Sequence, residues 1–159
     1  MNIPDYIIEP ATLADVDQLV VLEQTLFMTD CCSRKNFRYL IQHATVIVVR
    51  TEKAGTIVGY AILLRRKNSR KMRIYSLGVA TSARNTDIGA KLVVALETIA
   101  GQANCTMLTL EVSDNNKDAI RLYTKYGFQQ YGFRYGYYED GGHAILMRKY
   151  LPGTPAQTS

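Results

Sequence analysis

The chain lacks any apolar stretch near the roughly 20 residues that a bilayer span requires. Its first residues, MNIPDYIIEP, carry neither a basic lead nor a signal-type apolar run. These absences argue against a membrane segment and set the expectation of a cytoplasmic protein. Cysteine is sparse, and Cys31, Cys32 and Cys105 form no metal-ligand spacing; their odd count argues against a disulfide framework. Adjacent residues such as Cys31 and Cys32 rarely bridge, because disulfide geometry is demanding. All three read as small, reduced apolar residues, and no metal is expected. The two histidines, His43 and His143, are far apart and match no triad. No internal repeat, low-complexity run or Pro/Gly/Ser linker divides the 159 residues.

What is present is an ordinary balance, with 47% hydrophobic and 21% charged residues. That balance excludes disordered, collagen-like and small disulfide-stapled chains. A chain of this length buries roughly 68–70% of the surface that its unfolded form exposes, so it needs no staple. One domain is expected over residues 1–151, with 152–159 as a frayed tail. Nineteen Lys+Arg against fourteen Asp+Glu give a net charge of +5, a mild excess that attracts anions.

Periodicity supplies the elements. Tyr6–Glu9 reads as a strand. Thr12 opens a helix, with Asp15 three residues on as its capping-box partner. Leu13, Val16, Leu19, Val20, Leu26 and Phe27 keep the helical period, and Glu23 is the one polar break. A second helix is expected from Ser33 towards His43. Val46–Arg50 and Ile57–Arg65 are strands around a turn at Lys53–Gly55. The basic run Arg65–Arg73 reads as the solvated tip of an antiparallel hairpin leading into a strand at Ile74–Val79. From Ile88, the stripe Leu92, Val93, Leu96 and Ile99 makes a helix that Gly101 ends. Thr106–Val112 is a strand, and Ser113–Asn116 supplies capping residues for a helix that reaches Tyr126, with Gly127 at C′. Phe128–Arg134 and Ala144–Tyr150 are the last strands. The order is a mixed α/β layout, with hairpins first and strand–helix–strand units later.

Two segments carry chemistry. In Ser76–Leu92 a strand ends near Val79 and a helix begins at about Thr86–Ile88. The amides of a first helical turn, with the positive end of the dipole, seat a phosphate or pyrophosphate, and Arg84 adds a charge. Read alone, this is also any helix N-terminus, with Thr86 or Asp87 as its cap. In Leu110–Phe128, alternation places Leu108, Leu110 and Val112 on one strand face, and Met107, Thr109 and Glu111 on the other. Glu111 ends an otherwise apolar strand, and Tyr123 lies on the following helix. Together they form a proton acceptor and donor; alone, Glu111 reads equally as the partner of a basic neighbour, and Tyr123 as core.

The two segments together resemble the GNAT superfamily of acyl-CoA-dependent N-acetyltransferases, and within it the RimI-type ribosomal-protein-alanine N-terminal acetyltransferases. The resemblance rests on Arg84-Asn85-Thr86-Asp87-Ile88-Gly89, Leu110-Glu111-Val112, Asn116, Ala119-Ile120-Arg121-Leu122-Tyr123 and Gly127-Phe128. Tyr137-Tyr138-Glu139-Asp140 is similar to that family's tyrosine-bearing loop before its last strand. It implies the GNAT fold, a mixed sheet of about seven strands flanked by about four helices. It implies acetyl-CoA as co-substrate, with Leu77, Gly78 and Val79 on the pantetheine arm. Arg84, Asn85, Thr86, Asp87, Ile88, Gly89 and Ala90 would hold the pyrophosphate, and Asn116 would contact the arm. It implies Glu111 as general base, Tyr123 as the group that protonates the leaving thiolate, and Tyr137 and Tyr138 on the acceptor.

The acceptor implied is a protein N-terminus, with a small amine as the alternative. A peptide α-amine, pKa about 7.7–8.0, is about a tenth neutral at pH 7, whereas a lysine near about 10.4 is neutral in about 1 in 2,500 copies. A base therefore offsets roughly 1 kcal/mol for the former and about 5 for the latter. One carboxylate and one tyrosine suit an N-terminus, with no serine or cysteine nucleophile and no metal. The loop departs from the family at Asn85 and Asp87, where glycines are usual; both residue types tolerate positive φ. Asp87 brings a carboxylate to a pyrophosphate seat and weakens binding unless it turns away or caps the helix. That departure motivates a second expectation, an acyl-CoA-binding module with little turnover. A third, an RNA-associated protein using Arg65–Arg73, lacks the interleaved aromatics of a base-stacking surface. A monomer or a homodimer is compatible with the sequence.

Overall fold

The structure, a computed structural model, describes residues 5–27, 30–84 and 86–151. The seven strands are β1 Tyr6–Pro10, β2 Thr45–Thr51, β3 Ile57–Leu64, β4 Lys71–Val79, β5 Met107–Ser113, β6 Gln129–Arg134 and β7 Ala144–Tyr150. The helices are α1 Val16–Leu26, α2 Arg34–His43, α3 Ile88–Gln102 and α4 Lys117–Lys125, with short 3-10 turns at Leu13–Asp15 and Thr81–Ala83. The strands hydrogen-bond in the order β1-β2-β3-β4-β5-β7-β6. β4 and β5 are parallel, whereas β1/β2, β2/β3, β5/β7 and β6/β7 are antiparallel, so the sheet is mixed. By their contacts the residues form two compact units, Met1–Leu63 with Tyr75–Leu92, and Leu64–Ile74 with Val93–Ser159. Among the described residues no helix is long and apolar enough to cross a membrane.

In the first unit, β2 and β3 are β-branched and apolar runs buried through their middles, as strands covered on both faces must be. Leu19, Phe37, Val48, Tyr60 and Ile62 form the centre of its core. Helix α2 starts where the Ser33 hydroxyl accepts the Asn36 N–H at 3.1 Å. Thr12 opens a 3-10 turn rather than the α-helix itself, and α1 follows from Val16. Asp15 explains the difference, because its carboxylate serves more than the cap. It accepts the Thr12 N–H at 2.9 Å and also Arg50 Nη2 at 2.9 Å, while Arg50 Nε reaches Glu9 at 2.6 Å. Burial would raise the Asp15 carboxyl, but hydrogen bonds from Arg50 and Thr12 and the Arg50 charge outweigh it and hold it below its ordinary value.

Glu23, the polar break in the α1 stripe, is buried too. It accepts the Tyr60 hydroxyl and the Cys32 N–H, the latter at 2.6 Å, and so ties α1 to β3 and to the segment before α2. Burial raises its carboxyl above the ordinary value against both hydrogen bonds. Burial and the Glu23 charge push the Cys32 thiol up to about 12, which leaves it an inert thiol.

The second unit is simpler. Leu108, Leu110 and Val112 are buried on one face of β5, in keeping with the alternation. α3 does not stop at Gly101. It runs through that residue to Gln102, and the left-handed position falls to Asn104, φ 61°. Cys105 N–H donates to Ala100 O at 2.9 Å and Asn104 N–H to Gly101 O at 3.0 Å, the Schellman pair of bonds. A Cβ on Gly101 would meet nothing within 4 Å. Gly101→Ala is therefore expected to stabilise the protein by about 0.5–1 kcal/mol, a rise of roughly 1–4 °C in the thermal midpoint. An unchanged or lower midpoint contradicts the helical placement. The basic run is also shorter as a tip than the sequence suggested. β4 begins at Lys71, so Lys71 and Arg73 are strand residues, alternating with buried Met72 and Ile74.

Candidate active site

In the first unit, the end of β4 leads into the start of α3. Gly78 is buried where a Cβ would come within 2.7 Å of Leu26 Cδ1 and 2.8 Å of Tyr60 Cε1. A Cβ on Gly59 would meet Ile88 Cγ2 at 3.2 Å and Gly78 O at 3.3 Å. Two glycines thus let α1, the buried Tyr60 ring and the first turn of α3 close onto the strands. The pairing of β4 with β5 covers Lys71–Ile74, and Leu77–Val79 lie beyond that ladder. After Val79, the Ala80 N–H donates to Val58 O at 2.8 Å and the Arg84 N–H to Thr81 O at 3.2 Å, which shapes the loop.

The Thr86 hydroxyl donates to Ala83 O and accepts the Ile88 N–H at 3.4 Å, so Thr86 bridges the loop to the helix. Arg84, Thr86 and Asp87 are exposed, Gly89 and Ala90 half-buried, and Ile88 is core. Asn85 lies outside the described residues. The Asp87 carboxylate lies 3.7 Å from Lys91 Nζ, one turn on. The amide-rich first turn of a 15-residue helix and an exposed Arg84 suit a diphosphate, whereas the exposed Asp87 carboxylate works against one.

In the second unit, β5, β7 and the loop 135–143 gather the polar groups. Glu111 Oε1 accepts the Tyr137 hydroxyl at 3.0 Å and pairs with the Arg73 guanidinium, whose Nη2 also donates to the Tyr137 oxygen at 3.0 Å. The Arg73 side chain is 40% exposed and that of Glu111 14%, so the triangle is open on the arginine side. Burial and then the Glu111 contact raise the Tyr137 phenol, opposed by the charges of Arg73 and Arg134. The Tyr137 and Tyr138 rings stand perpendicular with centroids 5.0 Å apart.

Tyr123 on α4 is buried edge-to-face on Phe128, 5.3 Å between centroids. Burial, then Tyr138, raises its phenol, so it stays protonated. Glu111, Tyr137 and Tyr138 are thus joined by direct contacts, and Tyr123 lies close enough to Tyr138 to feel its charge. The loop is fixed by its own bonds: Tyr138 N–H to Gly142 O at 3.1 Å, Gly141 N–H to Tyr138 O at 2.9 Å, and Gly136 N–H to His143 Nδ1 at 2.9 Å. His143 is thus a loop support, and His43 stacks on Tyr39. Asn116 caps α4 through Oδ1, which accepts the Ala119 N–H at 3.1 Å. Among the described residues no group of three or more His, Cys, Asp or Glu side chains is placed to hold a metal ion.

Arg73 is the residue that sequence reasoning missed. The signal was available in the alternation Lys71, Arg73, Tyr75 against Met72, Ile74, but the density of basic residues suggested a loop. The ion pair also supplies the basic neighbour that the plain reading of Glu111 required.

Comparison with known proteins gives a consistent set of likenesses. The profile described as "Acetyltransferase (GNAT) family" matches residues 14–128. An uncharacterized N-acetyltransferase of Methanocaldococcus jannaschii is 31% identical over 147 residues, 92% of each chain. The N-alpha-acetyltransferase RimI of Mycobacterium tuberculosis is 30% identical over 152 residues, 89% of this chain and 93% of that one. Among solved structures, Ard1 from Thermoplasma volcanium superposes with a TM-score of 0.82 at 26% identity, over 92% of this chain and 97% of that chain.

Proposed function

The chain belongs to the GNAT family of acetyltransferases and is an N-acetyltransferase, and from that premise we propose that it acetylates the α-amine of a protein or peptide N-terminus, with acetyl-CoA as donor. The observation that carries this reading is the cluster of Glu111, Tyr137, Tyr138 and Tyr123 in the second unit. Relatives named as N-alpha-acetyltransferases support the choice of acceptor.

Acetyl-CoA supplies an activated thioester carbonyl. Arg84, Thr86, Asp87, Ile88, Gly89 and Ala90, with Asn85, would hold its diphosphate; Leu77, Gly78, Val79 and Asn116 would hold its arm. Glu111 takes the amine proton, directly or through water. A carboxylate offers about four acceptor positions, so one held by Tyr137 and Arg73 keeps capacity for the incoming amine. The amine nitrogen bonds to the acetyl carbon as the carbon–sulfur bond breaks, and Tyr123 donates a hydrogen bond to the departing sulfur. Tyr137 and Tyr138 position the acceptor. The free cysteines fit the reducing cytoplasm in which we place the reaction.

Arg84 gives a direct check on the donor side. Hydrogen bonds to charged groups contribute about 1.5–3 kcal/mol. Arg84→Ala is expected to raise the KM for acetyl-CoA roughly 10- to 100-fold with kcat little changed. A KM within twofold of wild type would remove the loop from the donor site. The whole reading is tested by incubating the protein with acetyl-CoA and peptides and following thiol release. Release that depends on a peptide N-terminus supports it; acetyl-CoA-induced thermal stabilisation without release supports a binding module instead.

A further inference from the structure

The second unit carries more positive charge around Glu111 than a general base needs. Register places the residues: Arg73 is opposite Thr109, Thr109 opposite Arg148, and Lys71 opposite Met107, so all share the β5 face that bears Glu111. Arg134 is opposite Ala144, which is opposite Ser113, and so joins the same face. Arg134 also lies close enough to Tyr137 for its charge to act on that phenol. Within β5, β6, β7 and Lys71–Ile74 of β4, Glu111 is the sole carboxylate, against Lys71, Arg73, Arg134 and Arg148 on its face. The loop 135–143 adds two carboxylates, Glu139 and Asp140, of which Asp140 accepts the Gly142 N–H at 2.8 Å. Arg148 lies over the Tyr131 and Tyr150 rings, 4.9 and 5.6 Å from their centroids, which fixes its position on the open face.

An acceptor amine approaching Glu111 must cross this face. On this strand face a basic acceptor meets four cations and one carboxylate, Glu111, which Arg73 already pairs. An acidic one meets the guanidiniums of Arg134 and Arg148, each with five N–H donors in a fork that matches a carboxylate.

We propose that the preferred acceptor is a peptide whose free N-terminus is followed directly by acidic side chains, their carboxylates seating on Arg134 and Arg148 while the amine reaches Glu111. This rests on the N-terminal acetylation reading and names the substrate class of that site. Basic N-termini and polyamines are disfavoured by the same charges.

The experiment compares three peptides of equal length with Asp, Gln or Lys at positions two and three, in saturating CoA for equilibrium binding and in acetyl-CoA for turnover. The Asp peptide is expected to bind on the order of tenfold tighter than the Gln peptide, and the Lys peptide more weakly than either. The advantage shrinks as salt rises from about 0.1 to about 1 M, where the screening length falls from about 10 to about 3 Å. Arg134→Gln narrows the Asp-to-Gln ratio, and Arg134→Glu inverts the order of Asp and Lys. A thermal melt on each variant establishes that it is folded, and Arg148→Glu serves where Arg134→Glu fails to fold. Equal binding of the three peptides, or tightest binding of the Lys peptide, overturns the proposal. Acid-selective binding without acetylation upholds this surface and overturns the acetylation reading; acetylation without charge preference does the reverse.

Discussion

Glu111→Gln is expected to lower kcat/KM for a peptide α-amine by about 10²- to 10⁴-fold at pH 7, the range for removing a positioned general base. Glutamine keeps an oxygen for the Tyr137 hydroxyl and for Arg73, so the geometry of the triangle survives. Arg73, 40% exposed, retains water as a partner, and the thermal midpoint should stay within a few degrees of wild type. The deficit is expected to depend on pH in one direction. Without a base, the variant must wait for neutral amine, whose fraction climbs about tenfold per pH unit until about 7.7–8.0. The wild-type to variant ratio therefore falls as pH rises from about 6 to about 8.5. A constant ratio would assign Glu111 to binding rather than to proton transfer.

Tyr123→Phe should be milder, about tenfold in kcat. Burial and Tyr138 raise the Tyr123 phenol, and a coenzyme thiolate is a weaker base, with a pKa of about 8.5. Full proton transfer from Tyr123 to sulfur runs uphill, which leaves a hydrogen bond to the developing thiolate as its contribution. A loss as large as that of Glu111→Gln contradicts this division of labour.

The largest expected loss of stability belongs to Arg50. Its guanidinium, 18% exposed, faces the Asp15 side chain, 7% exposed, and clamps the 3-10 turn and β1 to β2. Arg50→Met leaves a buried carboxylate without its cation, at a cost of about 3 kcal/mol, or roughly 6–12 °C in thermal midpoint. Adding Asp15→Asn recovers part of the loss, because the stranded charge is gone. The sign with pH follows from Asp15. Its carboxyl is depressed in the folded protein, so the stability it contributes is present above its ordinary pKa of 3.8 and is lost as pH falls through the lower folded value. Glu23 works in the opposite sense: raised by burial, it favours the fold below its ordinary 4.5 and loses that contribution as pH climbs through the raised value. The gap between wild type and Arg50→Met is thus greatest near neutrality and closes below about pH 4. A gap that stays constant from pH 7 to pH 3 contradicts the ion-pair origin.

Much of this is legible in the sequence. β7 runs over Ala144–Tyr150, the span read from the sequence, and α2 begins after Ser33 because an N-cap serine is a local signal. The Leu-Glu-Val strand and the tyrosine-bearing loop pointed to Glu111, Tyr137 and Tyr138, which the fold brings together. What stayed hidden depends on tertiary partners. Asp15 and Glu23 read as a cap and a polar break, because nothing local reveals that Arg50, 35 residues on, and Tyr60, 37 residues on, arrive to meet them. Arg73 was hidden by composition, since six basic residues in nine resemble a solvated loop more than an edge of a working site. Gly101 misled because glycine is the usual stop, whereas Asn104 takes the left-handed position here.

The most direct measurement is the site of acetylation on a peptide that carries both an α-amine and a lysine, located by tandem mass spectrometry after incubation with the protein and acetyl-CoA. The expected product bears its acetyl group on the N-terminal nitrogen, and forms far more slowly with Glu111→Gln at pH 7. Modification of the lysine side chain alone, or an N-terminal product that accumulates equally fast with that variant, contradicts the role given to Glu111 and to the tyrosines beside it.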